Sequence, residues 1–130
     1  MGMNLRLKRC VVDSLNNITA GDDINVTCDA KTVFQESIPN GSTNVEYILA
    51  IDYSQIQLIS IHANYAMTVK TNSSGSPTDT VTLVAGKAQI YKASDGSGCP
   101  ITADVTKIYV TNSSGSNGIL TIIVGYDTTP

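Results

Sequence analysis

The chain has no tryptophan, one phenylalanine, one histidine and three cysteines among its 130 residues, and only 15% of it is charged. Each shortage excludes something. His62 is the single side chain whose ordinary pKa suits proton transfer near neutral pH, and no Ser or Cys near it has the strand-turn-helix setting of a nucleophile elbow. An ordinary strand-end histidine is the simpler reading. Cys10, Cys28 and Cys99 form no Cys-x-x-Cys pair and have one histidine to assist them, so zinc is not expected. The ligand spacing of a calcium loop is likewise missing from Asp22-Asp23 and from Asp95-Gly96-Ser97-Gly98, which read as turn residues. No metal, cofactor or catalytic residue is predicted. The first residues lack the apolar run of a signal peptide, and nowhere do about 18 apolar residues follow one another. The expectation is synthesis in a cytoplasm, no membrane partner and unpaired thiols, with Cys28 a small buried apolar residue.

Charge is scarce and unevenly placed. Of eight basic residues, Arg6, Lys8 and Arg9 lie in the first ten positions, leaving five against all eleven acidic residues in the remainder. A body of that balance disfavours a nucleic-acid groove, which needs clustered Lys and Arg to replace counterions. The chain therefore divides into a basic N-terminal arm, residues 1–9, and a single domain, residues 10–130, long enough to remove roughly two thirds of its unfolded surface from water.

What the chain does have is alternation. Met67 and Val69 alternate with Thr68 and Lys70, and Val81 and Leu83 with Thr80 and Thr82, the period of a sheet with one wet and one dry face. Asp23 to Asp29 alternates in the same way, with Ile24, Val26 and Cys28 inward, after a turn expected at Ile18 to Asp22. Val33 to Ile38 reads as an edge strand, ended by the turn Pro39-Asn40-Gly41-Ser42. Further strands are predicted near Cys10 to Leu15, at Lys87 to Lys92, Thr106 to Thr111 and Gly118 to Tyr126. Eight to ten short strands with turn signals between them and no convincing helix predict an all-β fold, an antiparallel β-sandwich of jelly-roll type.

Three strands break the alternation by being apolar on both phases: Tyr47 to Ile51, Ile56 to Ile61, where Ile56 and Leu58 oppose Ile59 and Ile61, and Ile119 to Val124. A strand apolar on both faces must be covered on both. A two-layer sandwich covers one, so Ile48, Ile59, Ile61, Ile119 and Ile123 are candidate interface residues. A homo-oligomer is expected, most simply a trimer, unless Leu5, Leu7, Val11 and Val12 of the arm supply the cover. The words Thr71-Asn72-Ser73-Ser74-Gly75-Ser76 and Thr111-Asn112-Ser113-Ser114-Gly115-Ser116 are identical, but their inward phases differ by one residue. They read as one hairpin-loop sequence used twice, not as a duplication.

From Ile56 onward the chain resembles small structural proteins of tailed bacteriophages, the capsid decoration or auxiliary head proteins. The likeness lies in Ala66 to Asn72, Pro77 to Leu83, Ile101 to Asn112 and the ending Tyr126 to Pro130. Such relatives often have an aromatic residue where Ile101 stands and a tryptophan near Tyr91. The resemblance implies a non-enzymatic virion protein on the capsid surface, partnered by the major capsid protein or neighbouring virion proteins. Two other classes are weighed against it. A tail- or fibre-associated module binding host surface glycans would use Tyr53, Tyr65 or Tyr91, and a hydrolase would need an acid pair drawn from Glu36, Glu46 and Asp52.

Overall fold

The computed structural model describes residues 3–12, 18–28, 30–92 and 98–127, the first two stretches as backbone and strand register. Ten strands follow in order: β1 (Met3–Val12), β2 (Ile18–Cys28), β3 (Ala30–Ile38), β4 (Ser42–Ile51), β5 (Ile56–Ala63), β6 (Met67–Thr71), β7 (Thr80–Leu83), β8 (Gln89–Lys92), β9 (Val105–Asn112) and β10 (Gly118–Tyr126). The eight strands from β3 onward form two antiparallel sheets, in the orders β3-β10-β5-β8 and β4-β9-β6-β7. The chain alternates between the sheets except at the β6–β7 hairpin, so that β10 returns to lie between β3 and β5. This is the double Greek key of a jelly roll, and the expected all-β sandwich is present.

Burial follows the predicted phases where alternation is clean. Met67, Val69, Val81 and Leu83 are all buried. Ile108 and Val110 of β9 and Leu120, Ile122 and Val124 of β10, strands for which no clean phase was expected, are buried too. Phe34 on β3 meets Tyr47 on β4 edge to face, with ring centroids 5.7 Å apart, closing the seam between the two edge strands on that side. Val33 to Ile38 does lie in an edge strand, and Pro39 to Ser42 does turn: Gly41 takes φ 86°, a backbone angle that favours glycine, and Ser42 N–H donates to the Pro39 carbonyl.

The doubled strands resolve differently from expectation. In β5, Tyr126 pairs with Ile56 and Gly125 with Leu58, so Gln57 is an extra residue in a bulge. One inserted residue reverses the phase, and Ile56 joins Ile59, Ile61 and Ala63 in one core while Leu58 and Ser60 turn to the outer face. Ile59 and Ile61 are thus core residues, 0% and 2% exposed, and are corrected as interface candidates. In β10 the isoleucines that point outward are Ile119 and Ile123; in β4 Leu49 and Ile51 go inward and Ile48 stays out at 77% exposed.

The identical six-residue words also part company. Thr71 is buried and Asn72 half-buried, whereas Thr111 is half-buried and Asn112 fully buried, the one-residue offset that was expected. The first word joins the paired strands β6 and β7; the second carries the chain from β9 in one sheet to β10 in the other, so it is an inter-sheet crossing and not a hairpin.

At the N-terminus, β1 and β2 pair only with each other, and the boundary expected after residue 9 falls inside β1. The turn expected at Ile18 to Asp22 is strand as well. The register sets Lys8 opposite Asp23 and Arg9 opposite Asp22, so each basic residue of that part of the arm faces an acid across the ribbon.

Candidate interaction surface

The two outer sheet faces differ in chemistry. On the β4-β9-β6-β7 face, Glu46, Lys107 and Tyr109 form a polar cluster. The Lys107 ammonium lies 3.3 Å from Glu46 Oε1 and 5.9 Å from the Tyr109 ring centroid, and the Tyr109 hydroxyl donates to Glu46 Oε1 at 3.4 Å. The hydrogen bonds to Tyr109 and Glu46 hold Lys107 protonated above its ordinary 10.5. Thr68, Lys70, Thr80 and Thr82 continue the face, and Ile48 stands exposed on it.

The β3-β10-β5-β8 outer face mixes apolar and polar side chains, with Gln35 donating to Thr121 Oγ1 at 3.4 Å between Ile123 and Ile119. Val33 lies opposite Ile123, which lies opposite Ser60, which lies opposite Ile90, giving a row across all four strands. Val33 is 55% exposed and Ile119, four residues before Ile123 on β10, 44% exposed. Toward the Tyr126 end the face is covered: Leu58 is 1% exposed although it points away from the core, and Gly125 beside it is buried. β2 lies close to β5 and β10, the two central strands of this sheet.

The five predicted interface residues therefore scatter to three places. Ile59 and Ile61 are in the core, Ile48 is on the β4-β9-β6-β7 face, and Ile119 and Ile123 share the β3-β10-β5-β8 face. Val33 belongs with the last two but went unrecognised, because in sequence it is one apolar residue between Thr32 and Phe34. The signal was the outward phase Val33, Gln35, Ser37, which aligns with Ile123, Thr121 and Ile119 once β3 is paired to β10.

The residues weighed for chemistry do not converge. His62 stands half-buried on this outer face opposite Thr121. Glu36 is on β3, Glu46 belongs to the lysine cluster of the other sheet, and the Asp52 carboxylate caps the 3-10 turn Tyr53–Gln55 by accepting from Ser54 N–H at 3.0 Å. Among the described residues no group of three His, Cys, Asp or Glu side chains could hold a metal ion. A cleft of about 470 Å³ at one end of the sandwich is lined by Ala30, Asp52, Gln55, Asp104, Tyr126 and neighbours, but Asp104 there accepts from Tyr53 N–H at 2.9 Å and Asp52 is the cap. These carboxylates fasten the turn. Tyr53 and Tyr65, each 40% exposed, flank opposite ends of β5, and Tyr91 packs on the core, so the tyrosines offer no shared platform for a sugar chain.

Cys99 is a free thiol packed partly against the core; burial pushes its pKa up, the negative charge of Asp79 adds to this, and a backbone hydrogen bond at Ile101 opposes it. The side chains of Cys10 and Cys28 lie outside the described residues, as does Asp95. Among the described residues no helix is long and apolar enough to cross a membrane.

No family model matches the chain, and no curated protein does. A solved structure from work on Bacillus endospore appendages, described there as a novel family of disulfide-linked pili, aligns with 77% of this chain and 92% of that one at 13% identity and a TM-score of 0.36. A likeness that loose carries no argument.

Proposed function

We propose that the protein is a non-enzymatic structural component of a tailed-phage virion, a capsid decoration or auxiliary head protein that binds the shell surface and stabilises it. The observation that carries this reading is the sidedness of the sandwich. One outer face carries the Glu46–Lys107–Tyr109 polar cluster, and the other carries exposed Val33 and Ile119 and half-buried Ile123 beside a separate β-ribbon. A rigid sandwich with unlike outer faces suits a part that sits between neighbours and works by shape and burial rather than by turnover. The phage setting rests on the sequence resemblance from Ile56 onward, as do the major capsid protein as partner and the virion as location.

The test is electron microscopy of particles assembled with and without the protein. Added density on the outside of the shell, with particles more resistant to heat, is the expected result. Particles that neither bind it nor change in stability would end the proposal.

A further inference from the structure

A sheet ends in strands whose outer N–H and C=O groups lack a strand partner, and proteins blunt such edges by shortness, bulges, proline or charge. The edges of the sandwich are β3 and β8 in one sheet and β4 and β7 in the other. β7 and β8 are only four residues each. β4 is longer, but its register with β9 shifts between Ser42 and Val45 and again between Ile48 and Ile51, and Asn44 stands at φ 46°. β3 is neither short nor bulged. Its nine residues, Ala30–Ile38, contain no proline, pair with β10 one for one without a shift, and bond to no other described strand. Lys31, Val33, Gln35, Glu36 and Ser37 are exposed along it, and its two charges are of opposite sign.

The backbone directions on β3 follow from β10. Ile119 N–H donates to Asn64 Oδ1 at 2.7 Å and the Ile119 carbonyl accepts from Asn64 N–H at 3.4 Å, so both main-chain groups of Ile119 point to the β5 side. Main-chain groups of successive residues in a strand point to opposite sides. Leu120, Ile122 and Val124 therefore bond toward β3, where they meet Glu36, Phe34 and Thr32. The alternate residues Lys31, Val33, Gln35 and Ser37 direct their N–H and C=O groups to the open edge.

From this we infer that the open edge of β3 pairs with β3 of a second copy, antiparallel about a two-fold axis at Phe34. Lys31 then lies opposite Ser37 of the second copy and Val33 opposite its Gln35, so every N–H and C=O on the open edge finds a partner. Phe34 meets its own counterpart in a non-hydrogen-bonded pair, where opposed side chains are closest, and Glu36 meets Thr32, so no like charges are opposed. A two-fold at Val33 would set Ser37 opposite residue 29, outside β3, and leave its groups unmatched. The edge matches its own reversed order, which is what commits it to a second copy. Such an isologous contact closes at two subunits and joins their β3-β10-β5-β8 sheets into one. The dimer goes beyond shell binding and does not depend on it.

Sedimentation equilibrium and light scattering of the full chain at micromolar concentration should show a dimer. Val33→Pro and Gln35→Pro each remove an N–H from the open edge and leave the bonds to β10 in place, so each should weaken dimerisation at least about tenfold, whereas Val33→Thr, which keeps the N–H, should not. Two exposed outward positions read the register. Ser37→Lys sets like charges opposite Lys31 and should weaken dimerisation at least about threefold, and adding Lys31→Glu should restore it. Circular dichroism reports whether each variant is folded, and the charge variants carry the test if the proline variants are not. A native chain that stays monomeric, folded proline variants that dimerise like the native chain, or charge variants that leave dimerisation unchanged would each overturn the inference. Co-sedimentation with shells separates this from the proposed function. Shell binding by a native chain that stays monomeric strikes the inference alone; dimerisation without shell binding strikes the function alone.

Discussion

Asn72 and Asn112 hold the same place in the same six-residue word and do different work. Asn112, fully buried, donates through Nδ2 to the carbonyls of Ile38 and Ser116, both at 2.9 Å, and through Oδ1 accepts from Ser114 N–H and Oγ–H at 3.1 and 2.7 Å. It thereby pins the crossing between sheets to the end of β3. Half-buried Asn72 sits at φ 69° and links the β6–β7 hairpin to the start of β9, donating to the Asp104 carbonyl and accepting from Thr106 N–H, each at 2.9 Å. Removing Asn112 strands buried partners away from water, and Asn112→Ala should cost about 2–4 kcal/mol in urea unfolding. Asn72→Ala, whose partners water can reach, should cost about 1–2 kcal/mol, and Asn72→Gly less, because glycine accepts the positive φ. Equal losses from the two alanine variants would mean that burial is not what separates them.

Cys99 gives a pH-dependent expectation at the same scale. Its folded pKa is raised above the ordinary 9.0, so above that value the folded chain holds a proton that the unfolded chain has released. Stability contributed by this group is complete below pH 9.0 and is lost as pH rises through the folded value. The same shift leaves little thiolate at neutral pH. Alkylation of Cys99 by iodoacetamide at pH 7.5, followed by peptide mass measurement, should be slower in the folded protein than in urea; a faster folded rate would refute the assignment.

At the scale of the strand, phase decides what a substitution does. Val81 is 4% exposed and its neighbour Thr82 lies on the wet side of β7. Val81→Asp buries a carboxylate that has lost a valine's packing and should cost several kcal/mol, comparable to the whole stability of a small domain. Thr82→Asp should change the unfolding midpoint by no more than about 0.5 kcal/mol. The pair is measured by denaturant unfolding, and comparable damage from both would show that β7 is covered on both faces. The ribbon is the contrary case, where phase was hard to see. Leu5, Leu7 and Val11 do alternate, but Arg9 breaks the series and the register shifts between Val11 and Val12, so only pairing with β2 makes the apolar face evident.

For the molecule as a whole, the eight strands from β3 onward share a hydrophobic core from Ala30 to Tyr126, and β1 and β2 form a sheet of their own. A chain lacking residues 1–28 should keep a cooperative unfolding transition, with stability reduced by about 2–3 kcal/mol as β5 and β10 lose their contact with β2. Loss of the transition on truncation, read by circular dichroism during heating, would show that the ribbon is part of the core. Folding should be slow for a domain of this size, because β3 near the start pairs with β10 at the end and such non-local contacts form late.

By itself the sequence determined the fold class, the phases of β6 and β7, the turn at Gly41 and the offset between the two repeated words. All of these are local, since period two and turn chemistry are written in neighbouring residues. It also determined that there was more apolar strand surface than one core could hold. Only the tertiary structure decided where that surface went. A bulge at Gln57 drew Ile56 inward beside Ile59 and turned Leu58 out, pairing with β10 set Val33 beside Ile123, and β2 came to lie close to β5 and β10. Bulges and partner strands are relations between distant residues, and a change of one position in either moves a whole row of side chains to the other face.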